Sequence, residues 1–191
     1  FAALNKTNGE RLCYRPNNDM LVEMDFSGYH PRLIGELVKY PLTSDNIYED
    51  LGIEKTVMFE NLYGGIRKEH INHPYFEHVQ TFIDDMWVIY QYGKSYETPL
   101  RIFNINEVNN STKMFNYIIQ GLETYTNVNI LSDIIEYLQD KKTKIILYTY
   151  DAFLFDFSKE DGTETLHKLV ELMKYPVSVK VGKNYNDFKK I

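Results

Sequence analysis

A chain of 191 residues can bury one sizeable core, and its 43% hydrophobic and 25% charged residues are ordinary for a globular protein. No apolar run approaches the ~20 residues of a membrane helix, and Cys13, the single cysteine, excludes an internal disulfide and a cysteine-based zinc site, which fits a reducing compartment such as cytoplasm. A net charge of -6 argues against a surface that grips nucleic acid all over, so any DNA contact is local.

The opening Phe1-Ala2-Ala3-Leu4 has no charged n-region, long apolar region or Met, so it reads as no signal peptide but as the start of a piece cut from a longer chain. Richness in Asn, Tyr, Ile, Lys and Phe is that of an AT-rich, often viral, coding sequence. Repeats, low-complexity stretches and linker-like segments are absent, and the chain reads as one cooperative unit.

Met20 to Phe26 predicts a short strand, after which Pro31 opens a helix with Leu33, Ile34, Leu37 and Val38 at helical spacing. A turn from Pro41 to Asp45 precedes a second helix, about Ile47 to Leu62, with Leu51, Met58 and Leu62 on one stripe and Gly64-Gly65 stopping it. Lys55, Phe59 and Tyr63 fall at i, i+4 and i+8 beside that stripe. Helical spacing covers Pro74 to Tyr92, Thr98 to Phe103 reads as a strand, and a long helix runs from about Ser111 to Leu138, with Met114, Phe115, Ile118, Ile119 and Leu122 inward and Asn116 and Gln120 outward. Lys144 to Phe157 is two apolar runs around Tyr150-Asp151-Ala152, a hairpin with an acid at its tip. Asp161 and Glu164 form a capping-box pattern before a helix carrying Leu166, Leu169, Val170 and Met173, and Val177, Val179 and Val181 alternate as a last strand. The sum is α+β: a mainly antiparallel sheet with packed helices on one side, without regular βαβ alternation.

Asp25 and Asp151 each stand where an apolar strand ends. Taken singly, such an Asp more often caps a turn. Two carboxylates brought together from adjacent strands repel, and Mg²⁺, held by one or two carboxylates plus phosphate oxygens, is the usual resolution. His70, His73 and His78 have a metal-like spacing, but no HExxH or cysteine accompanies them.

Five segments resemble family A DNA polymerases, the bacterial DNA polymerase I type. Asp25-Phe26-Ser27-Gly28-Tyr29-His30-Pro31-Arg32 resembles D-[YF]-S-x-x-E-x-R, and Lys55 to Gly64 resembles K-x3-F-G-x2-Y-G with Lys, Phe, Tyr and Gly in register. Tyr150-Asp151-Ala152 before Phe153-Leu154-Phe155 resembles H-D-E with only the Asp kept. Asn116-x3-Gln120-Gly121 resembles N-x-x-x-Q-G, and Pro176 to Tyr185 resembles the C-terminal strand of the family.

That resemblance implies a polymerase palm across residues 1–191, with a reduced fingers insertion at about 41–92, and with thumb and exonuclease domains elsewhere in a longer chain or in a partner subunit. The implied activity is template-directed nucleotidyl transfer to a primer 3′-hydroxyl, with primer-template DNA and deoxynucleoside triphosphates as partners and no membrane. It takes place in the cytoplasm, the host's if the source is viral. Two Mg²⁺ ions, with Mn²⁺ as a substitute, are implied at Asp25 and Asp151 beside Phe26. Lys55 is implied to meet the triphosphate, Phe59 the nucleotide and Tyr63 the templating position, while Asn116, Gln120 and Tyr150 reach the primer-template duplex. Arg32 is a candidate structural partner of the loop after Asp25. His30 stands where the family has the Glu that crowds a ribose 2′-hydroxyl, and its ring nitrogens are expected to tolerate or bond that hydroxyl. Leu51 replaces a phosphate-contacting Arg, and Ala152 a motif acid. Two alternatives stay open: a catalytically decayed palm that binds nucleic acid or a replisome partner, and a single-subunit RNA polymerase.

Overall fold

Strand β1, Met20–Phe26, is the centre of a five-stranded antiparallel sheet, and its place there follows from a run apolar enough to be covered on both flanks. The computed structural model describes residues 9–191, so the reading of Phe1 to Leu4 lies outside the described residues. Further elements are α1 Tyr29–Leu37, α2 Ile47–Leu51, α3 Lys55–Gly64, α4 Pro74–Gly93, β2 Ser95–Glu97, β3 Ile102–Asn104, α5 Ser111–Tyr137, β4 Lys144–Thr149, β5 Ala152–Phe157, α6 Gly162–Leu172, β6 Val177–Gly182 and β7 Phe188–Lys190. The fold class is α+β, as the sequence predicts. Two compact units emerge, one of residues up to Ser27 together with Asn127–Ile191, the other Gly28–Thr126.

The first unit holds the sheet, in the order β4-β5-β1-β6-β7. Register pairs Val22 with Phe155 and Val181, and Met24 with Phe153 and Val179, so one face of the three central strands is apolar. Ile130 and Ile134 of α5 and Leu138 just past its end, at four-residue spacing, are buried, as are Leu169 and Met173 around the end of α6. On the opposite face alternation puts Leu21, Glu23 and Asp25 with Leu154, Ala152 and Lys180. A small apolar cluster of Leu21, Leu154 and Tyr185 covers one end of that face.

The second unit is helical around a core that includes Ile34, Met58, Leu62, Tyr75, Phe76, Tyr90, Phe103, Met114 and Phe115. Gly28 starts it in the left-handed region at φ 62°, and a Cβ there would come within 2.5 Å of Ile47 Cδ1, so both backbone and space demand glycine. Arg32 is buried and donates to the carbonyls of Ser44 (2.7 Å) and Asp45 (3.0 Å), which makes it the brace of the turn before α2. Burial lowers its pKa, opposed by Asp45 and Tyr48.

Three expectations need correction, and one strand goes beyond them. The single helix expected from Ile47 to Leu62 is two, because Gly52 takes a left-handed C-cap at φ 64° and Glu54 is extended. Thr98 to Phe103 straddles the turn of a hairpin instead of forming one strand, with Ser95 paired to Asn104. Asp161 makes no side-chain cap on α6; its carboxylate instead accepts from the backbone N–H groups of Lys142 (3.2 Å) and Thr143 (2.6 Å) just before β4. β7 was not foreseen, since Phe188–Lys190 is too short to show a period.

Candidate active site

Both acids lie at one end of the sheet, within the first unit. Asp25 pairs across the ladder with Ala152, and the Phe26 N–H donates to the Asp151 carbonyl at 2.9 Å, so the acids sit on hydrogen-bonded neighbouring strands, one residue out of register. Asp151 occupies the two-residue turn between β4 and β5 with Tyr150, whose φ of 41° is the left-handed value such a turn needs. The backbone thus brings the two acids to one sheet end, and the Phe26 ring packs edge-on against Phe153 in the apolar layer.

Two residues of this unit that the sequence did not mark support the acids. Asn127, 1% exposed, donates through Nδ2 to the Tyr150 carbonyl (2.7 Å) and the Tyr148 hydroxyl (2.8 Å), and so fixes the turn that carries Asp151. Tyr150 itself is exposed. Lys180 Nζ donates to Asp25 Oδ2 at 2.8 Å and Glu23 Oε1 at 3.0 Å. Burial alone depresses the Lys180 ammonium, but these two bonds outweigh it and hold the pKa above the ordinary lysine value. The pairing accounts for Glu23, a carboxylate buried in a central strand. The only signal for it in the sequence was the Glu in an apolar strand, since Lys180 stands at an ordinary polar position of the alternating Val177-x-Val179-x-Val181.

In donor type the acids fit a hard cation. Mg²⁺ takes one or two protein carboxylates and completes its shell with water and phosphate oxygens. Among the described residues no group of three or more His, Cys, Asp or Glu is placed to hold a metal by itself. His73 accepts from the Tyr75 N–H (3.2 Å) and donates to the Leu51 carbonyl (3.0 Å), while His78 Nδ1 lies 3.3 Å from the Val38 carbonyl, so both rings serve backbone groups.

Within the second unit, Lys55, Phe59 and Tyr63 form one stripe on α3. The rings of Phe59 and Tyr63 stack at 5.7 Å, nearly parallel at 7°, and the exposed Lys55 ammonium lies 5.8 Å from the Phe59 ring centre. His30 Nδ1 is hydrogen-bonded to the Tyr63 hydroxyl, and His30 Nε2 lies 3.1 Å from Glu123 Oε2. Asn116 departs from its expected outward, wet position: its Nδ2 donates to the Tyr63 carbonyl at 3.1 Å and its Oδ1 is buried without a partner. Gln120 is exposed, as the helical spacing predicts. A surface groove of about 390 Å³ lined by Val38, His78, Thr81 and Phe82 contains none of these residues.

Among solved structures the chain is similar to the POL domain of Pol1 from M. smegmatis in complex with DNA primer-template and dNTP, with a TM-score of 0.73 at 16% identity over 95% of this chain. The fold is polymerase-like. The chain spans 43% of that chain's length. No family model matches the sequence, and no curated protein matches it. No helix among the described residues is long and apolar enough to cross a membrane.

Proposed function

We propose that this chain is the palm, with a reduced fingers insertion at about 41–92, of a divergent family A DNA polymerase of viral origin acting in the host cytoplasm. It catalyses template-directed transfer of a deoxynucleotide to a primer 3′-hydroxyl. The observation that carries the proposal is the arrival of Asp25 and Asp151 at one end of adjacent strands in a polymerase-like fold.

Asp25 and Asp151 would hold two Mg²⁺ ions, or Mn²⁺ in their place, beside the Phe26 backbone. When bound, such ions activate the attacking hydroxyl and neutralise charge on the leaving pyrophosphate. The chain's own residues do the positioning on which phosphoryl transfer depends. Asn127 keeps the Asp151 turn in place, and Lys180 holds the Asp25 carboxylate until another cation competes for it. Lys55 offers an exposed positive charge to a triphosphate, and the stacked Phe59 and Tyr63 offer flat faces to a base. His30 stands at the sugar. Gln120 and Tyr150, both exposed, are available to the duplex, whereas Asn116 acts through the backbone of Tyr63. Thumb and exonuclease functions would come from segments outside these 191 residues.

The Lys180 ammonium already seated on Asp25 supports a second reading, a palm that binds nucleic acid without catalysis. Primer extension with Mg²⁺ or Mn²⁺ separates the two. The proposal expects incorporation by the chain and a loss on the order of 10³-fold in Asp151→Asn with duplex binding kept. Binding without any incorporation in either protein supports the second reading.

A further inference from the structure

The buried carboxylate of Glu123 is the least expected charge in the second unit. It stands on α5, 5% exposed, and a carboxylate so covered requires a partner. That partner is His30, whose Nε2 lies 3.1 Å from Glu123 Oε2. An ionised carboxylate only accepts, so Nε2 must carry a proton whatever the charge of the ring. The other ring nitrogen, Nδ1, is bonded to the Tyr63 hydroxyl. Tyr63 is in turn fixed at its ring by Phe59 and at its carbonyl by Asn116.

Both hydrogen-bonding positions of His30 are therefore occupied from inside the protein. We propose that Glu123 is a positioning residue that locks the His30 ring, and through it the Tyr63 hydroxyl, so that His30 meets a nucleotide sugar as a saturated wall. Such a ring has no nitrogen to offer a ribose 2′-hydroxyl, and it rejects ribonucleotides by bulk. This is opposite to the tolerance expected from the His for Glu replacement alone. It rests on the nucleotidyl-transfer reading only for its consequence at the sugar; the lock itself is a property of Glu123, His30 and Tyr63.

The test has two arms. ¹⁵N spectra of His30 in the free protein report the ring nitrogens without any catalysis. Glu123→Ala should move the His30 Nε2 signal toward that of an exchanging imidazole, and Glu123→Gln, which keeps an accepting oxygen, should keep it near the parent. Matched ribo- and deoxynucleotides in single-turnover extension give the second arm. Strong rejection of ribonucleotides by the parent should weaken about tenfold in Glu123→Ala, the equivalent of one buried hydrogen bond, and recover in Glu123→Gln. Unchanged His30 signals in Glu123→Ala, or an unchanged discrimination ratio in an active variant, would overturn the proposal. If no protein extends a primer the nucleotidyl-transfer reading fails, and the spectra alone decide the lock: shifted signals support it and unshifted ones reject it.

Discussion

Asp25 and Asp151 are held by the backbone of the first unit, whereas His30 and Tyr63 are held by side chains of the second. A ladder of hydrogen bonds sets β1 against β5 residue by residue, so an acid at a strand end has its place fixed by register. On the helices of the second unit no such ladder links α1 to α3 or α5. The place of His30 depends instead on a carboxylate 93 positions away in sequence and on one phenol. Chemistry that needs cations held rigidly gains from the first arrangement. Recognition by a fixed shape gains from the second.

If that division is right, substitutions in the helical unit alter nucleotide use and spare the sheet. Lys55→Ala removes a solvent-facing charge from α3 and should lower the efficiency of nucleotide use by about 10- to 100-fold, the worth of one charge-assisted phosphate contact. Thermal unfolding should barely change, because Lys55 is exposed. Titrating nucleotide in single-turnover extension, beside a melting curve, checks both halves; a large fall in melting temperature would mean that the stripe is structural.

Asn127→Ala probes the backbone arrangement by removing the clamp on the Asp151 turn. The loss of two partly buried donor contacts should destabilise the protein by roughly 2 kcal/mol, since the Tyr150 carbonyl and the Tyr148 hydroxyl both lose this donor. Urea unfolding measures this, and a midpoint equal to the parent's would show that the β4–β5 turn holds itself.

Lys180→Met should have a smaller and two-sided effect. Glu23 and Asp25 would then repel across one face of the sheet, costing about 1 kcal/mol once the partial exposure of the pair is discounted. Mn²⁺ binding, followed by electron paramagnetic resonance, should tighten several-fold because an ion no longer competes with an ammonium. Unaltered Mn²⁺ affinity would detach Lys180 from the cation site.

The smallest effect concerns acid stability. Burial pushes the Asp161 carboxyl up, but the N–H groups of Thr143 and Lys142 outweigh it and hold the pKa below the usual aspartate value. A group depressed in the folded state stabilises above its unfolded pKa, about 3.9, and that stability is lost as pH falls through the folded value. Asp161→Asn should therefore be less stable than the parent at neutral pH, with the gap closing below about pH 4. Denaturant titrations at pH 7 and pH 3 test the sign, and a constant gap would contradict it.

The same contrast explains what could be read from the sequence. Apolar runs beside the acids Asp25 and Asp151 marked β1 and β5, the alternation of Val177, Val179 and Val181 marked β6, and helical spacing from Pro74 to Tyr92 marked α4. The break between α2 and α3 was legible in principle, since Gly52 before the extended Glu54 is a stop followed by a start, but the longer stripe Leu51, Met58, Leu62 masked it. Glu123, Asn127 and Lys180 were not legible. Each looks like an ordinary polar residue at its own position, and its meaning comes from a partner brought near by tertiary packing: His30, the Tyr150 carbonyl, and Glu23 with Asp25.

The central claim is that this chain copies a template. It is tested most directly by offering primer-templates that differ only in the first unpaired template base, one deoxynucleotide at a time, with Mg²⁺ present. The account predicts that each template directs chiefly its Watson–Crick partner onto the primer, and that Asp25→Asn abolishes all four additions. Addition of the same nucleotide regardless of template, or equal addition by Asp25→Asn, would contradict it.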